Sequence, residues 1–219
     1  SSSQRQVETD LKTDQPGPYP YLAVLGSTAD GLLLEFTPPD PMLSTLTEGG
    51  STCQALEIPG LESVQVPGVP ALPVQGVLLG IPPGAEISIE ILEVDAQPLE
   101  GVEKLCTTPD PGYQIADLGV SLPPGVVELP VNKTQSTANP FTEMVKLIEN
   151  GKLRDQHFAK VALNPIVFDG LSNAITYNAR IKLKVHFSTT SLQKTDLSDF
   201  SPDRNFEEVY QGLLINYQE

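Results

Sequence analysis

Tryptophan is absent from the 219 residues, aromatic residues amount to 6%, and histidine and cysteine occur twice each. A core with so few rings has to be built from valine, leucine and isoleucine, and a hydrophobic share of 39% supplies enough of them for a sizeable one. Neither His157 nor His186 has a further ligand at metal-binding spacing, which leaves little from which to build a metal centre. The loop aspartates Asp30, Asp40, Asp110 and Asp169 stand apart from any Asp-x-Asp-x-Asp-Gly array, so no functional metal and no cofactor is expected. No apolar run approaches the ~20 residues that cross a bilayer as a helix. A signal peptide is missing too, and the polar opening Ser1-Ser2-Ser3-Gln4-Arg5 reads as an artificial end or as a mature end left by signal removal.

Basic residues are scarce: 13 Lys and Arg stand against 28 Asp and Glu, a net charge of −15. Such a surface repels phosphate backbones and anionic lipid, which argues against nucleic-acid and membrane partners. The imbalance is uneven. Residues 133–194 hold nine basic and four acidic side chains, and the rest of the chain holds four basic and 24 acidic. This basic stretch is either a solvated mixed surface or a face turned to an acidic partner.

Cys53 and Cys106 are an even pair, which in a secreted chain suggests a disulfide, with two buried thiols as the alternative. A bond would close a loop of about fifty residues and stabilise by about 3–4 kcal/mol in the chain-entropy model.

What the chain has in abundance is punctuation: 21 prolines and 17 glycines. Proline fixes φ and removes a backbone donor, so a chain interrupted this often cannot be a helical bundle and reads as short strands joined by turns. Residues 1–18 form a flexible polar lead-in, and residues 19–219 show no internal boundary or repeat and are expected to form one domain. Tyr21–Leu25 and Leu32–Phe36 flank a loop ending in Asp30-Gly31, which predicts a hairpin. Ile87, Ile89 and Ile91 alternate with polar residues before the pattern shifts to Leu92 and Val94, which predicts a strand with a bulge. Residues 113–120 and 126–131 read as two further strands. Ala179, Ile181, Leu183, Val185 and Phe187 alternate with Arg180, Lys182, Lys184 and His186, a strand with one face in the core and one in water. Lysine and arginine on such a face also discourage unwanted edge pairing.

Two short peripheral helices are predicted. One covers about 140–150, with Asn139 as cap, Pro140 at the first helical position, Phe141, Met144, Val145 and Ile148 at helical spacing and Gly151 as the stop. The other covers about 202–217, opened by Ser201-Pro202 and carrying Phe206, Val209, Tyr210, Leu213, Leu214 and Tyr217 as an apolar stripe. It runs to Glu219 without a C-cap and is expected to lead into a second domain of a longer chain.

Catalytic signatures are missing. A Cys–His dyad needs a thiolate beside a base, and neither cysteine stands in a nucleophile turn. There is no Gly-x-Ser-x-Gly elbow and no phosphate-binding glycine loop, and the pairs Glu207-Glu208 and Glu100/Glu103 read as solvated charge. The chain is not expected to be an enzyme.

The run Val66-Pro67-Gly68-Val69-Pro70-Ala71-Leu72-Pro73 is followed by Leu79-Gly80-Ile81-Pro82-Pro83-Gly84-Ala85. It resembles the Gly-x-Pro-x-Leu-Pro … Ile-Pro-x-Gly-Ala pattern in the pro-domains of gingipain-like cysteine peptidases. Ala162–Phe168 followed by strand 179–187 resembles that family's late hairpin. Phe206…Tyr210…Leu214-Ile215-Asn216-Tyr217 resembles the segment leading into the catalytic domain. Together these cover residues 55–219.

The resemblance implies an all-β, jelly-roll-like β-sandwich, secretion or display at the cell surface, and an intramolecular partner, the catalytic domain of the cognate cysteine peptidase. It also implies latency through a loop that places a basic side chain in the active-site cleft, together with help in folding. By chemistry and position the candidates for that side chain are Lys152 and Arg154, then Lys133. The alternative reading is a carbohydrate-binding or adhesive sandwich, for which Tyr19, Tyr21, Tyr113 and Tyr177 are the available rings although tryptophan is lacking. A structural spacer is the third reading. The oligomeric state is left open.

Overall fold

The computed structural model describes residues 18–48, 51–108, 141–154, 156–170, 172, 174–189 and 206–217. In chain order the strands are β1 (Leu22–Thr28), β2 (Gly31–Phe36), β3 (Met42–Glu48), β4 (Ser51–Glu57), β5 (Glu62–Val64) and β6 (Leu72–Gly80). They continue with β7 (Ala85–Pro98), β8 (Val145–Leu153), β9 (Gln156–Leu163), β10 (Ile166–Asp169) and β11 (Ala174–Thr189), before helix α1 (Glu207–Leu213).

The long strand β11 organises one sheet. Its Ile181–His186 stretch pairs with β2, which pairs in turn with β1. Its other edge carries β7, since Ile181 faces Phe36 on one side and Val94 on the other. The first residues of β11 pair with β10. A second sheet runs β5-β6-β9-β8. Pairing within both sheets is antiparallel.

Alternation within the strands decides which faces meet. Leu32, Leu34 and Phe36 of β2 and Ile181, Leu183 and Val185 of β11 point the same way from the first sheet. Val77 and Leu79 of β6 and Ala159, Val161 and Leu163 of β9 point back from the second, and all are buried in one aliphatic cluster. The domain is therefore an antiparallel β-sandwich whose core is leucine, valine and isoleucine, as a chain poor in aromatics requires. A second cluster, with Leu56, Ile58, Leu72, Phe141, Ile166, Ile175 and Tyr177, fills one end beneath the β3–β4 ribbon. The Tyr177 hydroxyl donates to the Pro38 carbonyl at 2.9 Å. Burial pushes its phenol above the usual value, and the charges of Asp40 and Asp95 push the same way.

The predicted first hairpin is present, but its turn is only Ala29-Asp30, because Thr28 still pairs with Gly31. The phase shift in β7 is a bulge: Ile91 faces Leu183 and Glu93 faces Lys182, leaving Leu92 as the extra residue. A second bulge falls at Ala179, between Asn178 and Arg180 of β11. The strand predictions at 113–120 and 126–131 lie outside the described residues, as do residues 1–17.

The predicted helix at 140–150 is wrong. Val145–Leu153 is strand β8, paired with β9 from Val145↔Leu163 to Leu153↔Gln156. The cause is another bulge, between Leu147 and Glu149, which adds Ile148 to the strand and breaks its two-residue period. The broken period left apolar residues at 141, 144, 145 and 148, a spacing that imitates a helix. Phe141 is fully buried, but in the second cluster, and Ile148 is 49% exposed. The second helix is shorter than predicted. It spans Glu207–Leu213, with Phe206 as N-cap, and Leu214 is extended. Ser201, Pro202 and Asp203 lie outside the described residues.

Candidate functional site

Catalytic chemistry has no foothold in the described residues. Cys53 and Cys106 are joined in a disulfide with Cα atoms 5.0 Å apart, and no thiol is left beside a histidine. No group of three or more His, Cys, Asp or Glu converges among the described residues. Of the rings available for stacking on a sugar, Tyr21 is the exposed one among the described residues, at 36%. Tyr19 and Tyr21 are tied by their hydroxyls to backbone groups, Tyr177 is buried, and Tyr113 is outside the described residues.

The basic stretch divides into two parts. On the solvent face of β11, Arg180 lies 3.6 Å from Glu35 and 3.3 Å from Glu93, Lys182 lies 3.5 Å from Glu93, and His186 lies 3.0 Å from Glu90. Acidic residues of β2 and β7 thus answer this strand's charge in a cross-strand ladder. Exposed pairs of this kind contribute little, so Arg180→Ala is expected to cost less than about 1 kcal/mol, read from the urea midpoint.

Lys184 is exposed on the same strand and faces Glu90 in the register, and the other described basic residues of the stretch gather on the β8–β9 hairpin: Lys146 and Lys152 on β8, Lys160 on β9 and Arg154 at the turn. Glu149, which faces Lys160 in the register, offsets part of this charge. Lys152 is exposed one residue from the end of β8 and faces His157. Arg154 adopts φ 53°, in the left-handed region, and turns the chain toward β9. Its guanidinium lies 3.6 Å from the centroid of the Phe206 ring, a cation–π contact that holds the side chain against the chain preceding α1. Lys133 lies outside the described residues. The structure therefore brings Lys152 and Arg154 to one hairpin end and engages only Arg154 with a ring.

A C-terminal strap of residues 206–217 lies along this hairpin end and along β6. The Tyr210 ring is buried, stands 5.4 Å from Tyr217, and its hydroxyl donates to Leu153 O at 3.3 Å. The Tyr19 hydroxyl accepts from Leu78 N at 2.9 Å and donates to Leu213 O at 2.6 Å, bridging sheet and strap. Burial pushes the Tyr19 phenol above its usual value, and the Leu78 hydrogen bond acts in the opposite direction. The side-chain oxygen of Asn216 accepts from Gly80 N at 2.7 Å, and its amide donates to Gly80 O at 2.8 Å. Sequence reasoning passed over Tyr19 and Asn216 as contact residues. The only local signal was a single amide in the apolar run Leu213-Leu214-Ile215-Asn216-Tyr217.

A non-catalytic sandwich with a charged hairpin and a strapped C-terminal end belongs to the class of domains that act by contact. The chain belongs to the Propeptide_C25 family, whose model matches residues 13–218, and is a pro-domain of a gingipain-like peptidase, the non-catalytic part of a zymogen. Two solved structures share the fold. "Complex of Porphyromonas gingivalis RgpB pro- and mature domains" matches with TM-score 0.64 and 16% identity, over 91% of this chain and 99% of that one. "Structural insight into zymogenic latency of gingipain K from Porphyromonas gingivalis" matches with TM-score 0.54 and 18% identity, over 81% and 96%. No curated protein matches the sequence.

Proposed function

We propose that this pro-domain keeps a secreted or surface cysteine peptidase latent by covering its active-site cleft within one precursor chain, and assists that peptidase's folding. The observation that carries the reading is the family match over residues 13–218 on a sandwich whose described residues hold no free thiol and no converging ligand cluster. A complex of pro- and mature domains that shares this fold supports the choice of partner.

The mechanism is obstruction. A stiff sandwich offers projecting segments, and one basic side chain anchors them in the cleft. Lys152, Arg154 and Lys133 are the anchors proposed. Lys152 is exposed and has no ion pair among the described residues, whereas Arg154 already lies over Phe206. Because both domains start in one chain, effective concentration is high and modest intrinsic affinity suffices. Proteolysis of the covering segment or of the junction releases the peptidase.

Added at micromolar concentration to the separated catalytic domain of the same precursor, the fragment is expected to inhibit stoichiometrically. Alanine at the true anchor among Lys133, Lys152 and Arg154 is expected to weaken inhibition at least about thirty-fold, as loss of a central contact residue does. Full peptidase activity in the presence of the folded fragment would rule out obstruction.

A further inference from the structure

We propose that the edge of β6 around Leu78 and Gly80 is a peptide-binding slot, filled in this chain by its own strap. The slot takes an extended segment of two aliphatic residues followed by asparagine. This inference does not depend on the peptidase reading.

Strand β6 pairs with β9 along one edge through Gln75–Gly80. On the other edge β5 reaches only Leu72–Val74. The backbone groups of Leu78 and Gly80 on that side would be left to water. The strap answers three of them, and Tyr19 answers the fourth. Leu78 forms a parallel bridge with Leu214, and Ile215 N donates to Leu78 O at 3.1 Å. Leu78 N is taken by the Tyr19 hydroxyl. At Gly80 the strap has turned out of register, and the Asn216 carboxamide replaces a peptide group, accepting from the N–H and donating to the C=O. A carboxamide offers one acceptor and one donor edge with the spacing of a peptide, which is why asparagine fits here and aspartate does not.

Glycine leaves room opposite it. A Cβ at position 80 would sit 3.4 Å from Asn216 Oδ1 and 3.5 Å from Leu214 Cδ1, so a larger side chain would crowd the strap. Leu214 supplies the anchor, 3% exposed in the structure, and Ile215 packs against the main core cluster.

What makes this a slot rather than a fixed strand is the segment that fills it. Helix α1 has seven residues, includes Gly212, and lacks a side-chain cap. A helix this short does not persist alone in water. Val209 and Leu213 remain exposed, while Tyr210 and Leu214 are buried, Ile215 packs on the core, and the Arg154 contact and edge hydrogen bonds complete the hold. Local opening of this segment should precede global unfolding, and the emptied edge would accept a peptide of the same pattern in its place.

The test uses the whole chain and a labelled synthetic peptide spanning residues 206–217. In hydrogen exchange, the amides of Leu78, Gly80 and Ile215 are expected to exchange at least ten-fold faster than those of Val77, Leu79 and Val161. Asn216→Ala should speed the first group a further ten- to hundred-fold, the effect of losing two hydrogen bonds, and leave the second unchanged. Asn216→Asp keeps the shape, sets a carboxylate against Gly80 O, and should give the same pattern. The peptide should bind the folded Asn216→Ala chain and should bind the wild-type chain at least ten-fold more weakly, because the wild-type strap competes. Exchange of all these amides in one step would overturn the proposal, as would failure of the peptide to bind either folded variant.

Discussion

Gly31→Ala is expected to cost about 4 kcal/mol or more, enough to unfold a domain of ordinary stability. The position ends the first hairpin and faces His186 across the β2–β11 ladder. A Cβ built there would overlap the carbonyl oxygen of Val185 and lie 3.2 Å from His186 Cα. Both are backbone atoms of the central strand, so no rotamer change relieves the clash. The backbone at Gly31 has φ +153°, which a side-chain-bearing residue rarely adopts. Relief would require β2 to move away from β11. That would separate Leu32, Leu34 and Phe36 from Ile181, Leu183 and Val185, the centre of the larger core cluster. It would also strain the bond from Phe187 N to Asp30 O, 2.8 Å long, which ties the turn to β11. Urea unfolding measures the loss. A variant within about 1 kcal/mol of wild type would show that β2 is not held where the register places it.

Removing the disulfide should have a comparable effect. The double substitution Cys53→Ser, Cys106→Ser is expected to lower stability by about 4 kcal/mol, because the bond spans 53 residues and the unfolded chain regains the entropy of that loop. The folded state loses a tie as well. The β3–β4 ribbon exposes Met42, Leu43 and Leu46, and Leu56 is its buried residue in the second cluster. Segment 101–108 runs along β4. Gln54 N donates to Lys104 O at 2.7 Å, Cys106 N donates to Gln54 O at 2.9 Å, and Gln54 Oε1 accepts from Glu103 N at 2.7 Å. The disulfide closes this arrangement covalently. Comparing urea midpoints of the oxidised and serine forms gives the global loss. Hydrogen exchange in the ribbon, faster in the serine form than in β9, would locate the added loosening. A loss below about 1 kcal/mol would show that the loop is already confined in the unfolded chain.

The strands that were legible in the sequence are those whose apolar spacing follows the two-residue period without interruption. The alternation at 181–185 names the buried face correctly, and Ile87 and Ile89 lie half-buried on the same principle, because it depends only on which side of a pleat a residue occupies; Ile91, next to the bulge, is 40% exposed. Where a bulge intervenes, reading depends on what precedes it. In β7 the long regular run before Leu92 exposes the shift. In β8 only three residues precede the bulge at Ile148, and the remaining spacing reads as a helix.

The anchors proposed from charge and position, Lys152 and Arg154, fall at one hairpin end. The partner of Arg154, the Phe206 ring, lies 52 residues away in sequence and is invisible to local pattern. The same holds for Asn216 and Gly80, 136 residues apart.

Composition and alternation by themselves determined an all-β chain with an aliphatic core, its principal buried faces and the absence of catalytic signatures, because these follow from local sterics and from the chemistry each residue type carries. Which strands pair, where the basic charge is neutralised and where it is left on β8–β9, and how the C-terminal segment divides between helix and edge strand were decided only in the folded state. Those outcomes depend on unpaired backbone groups finding partners from distant parts of the chain, and no window of sequence contains both members of such a pair.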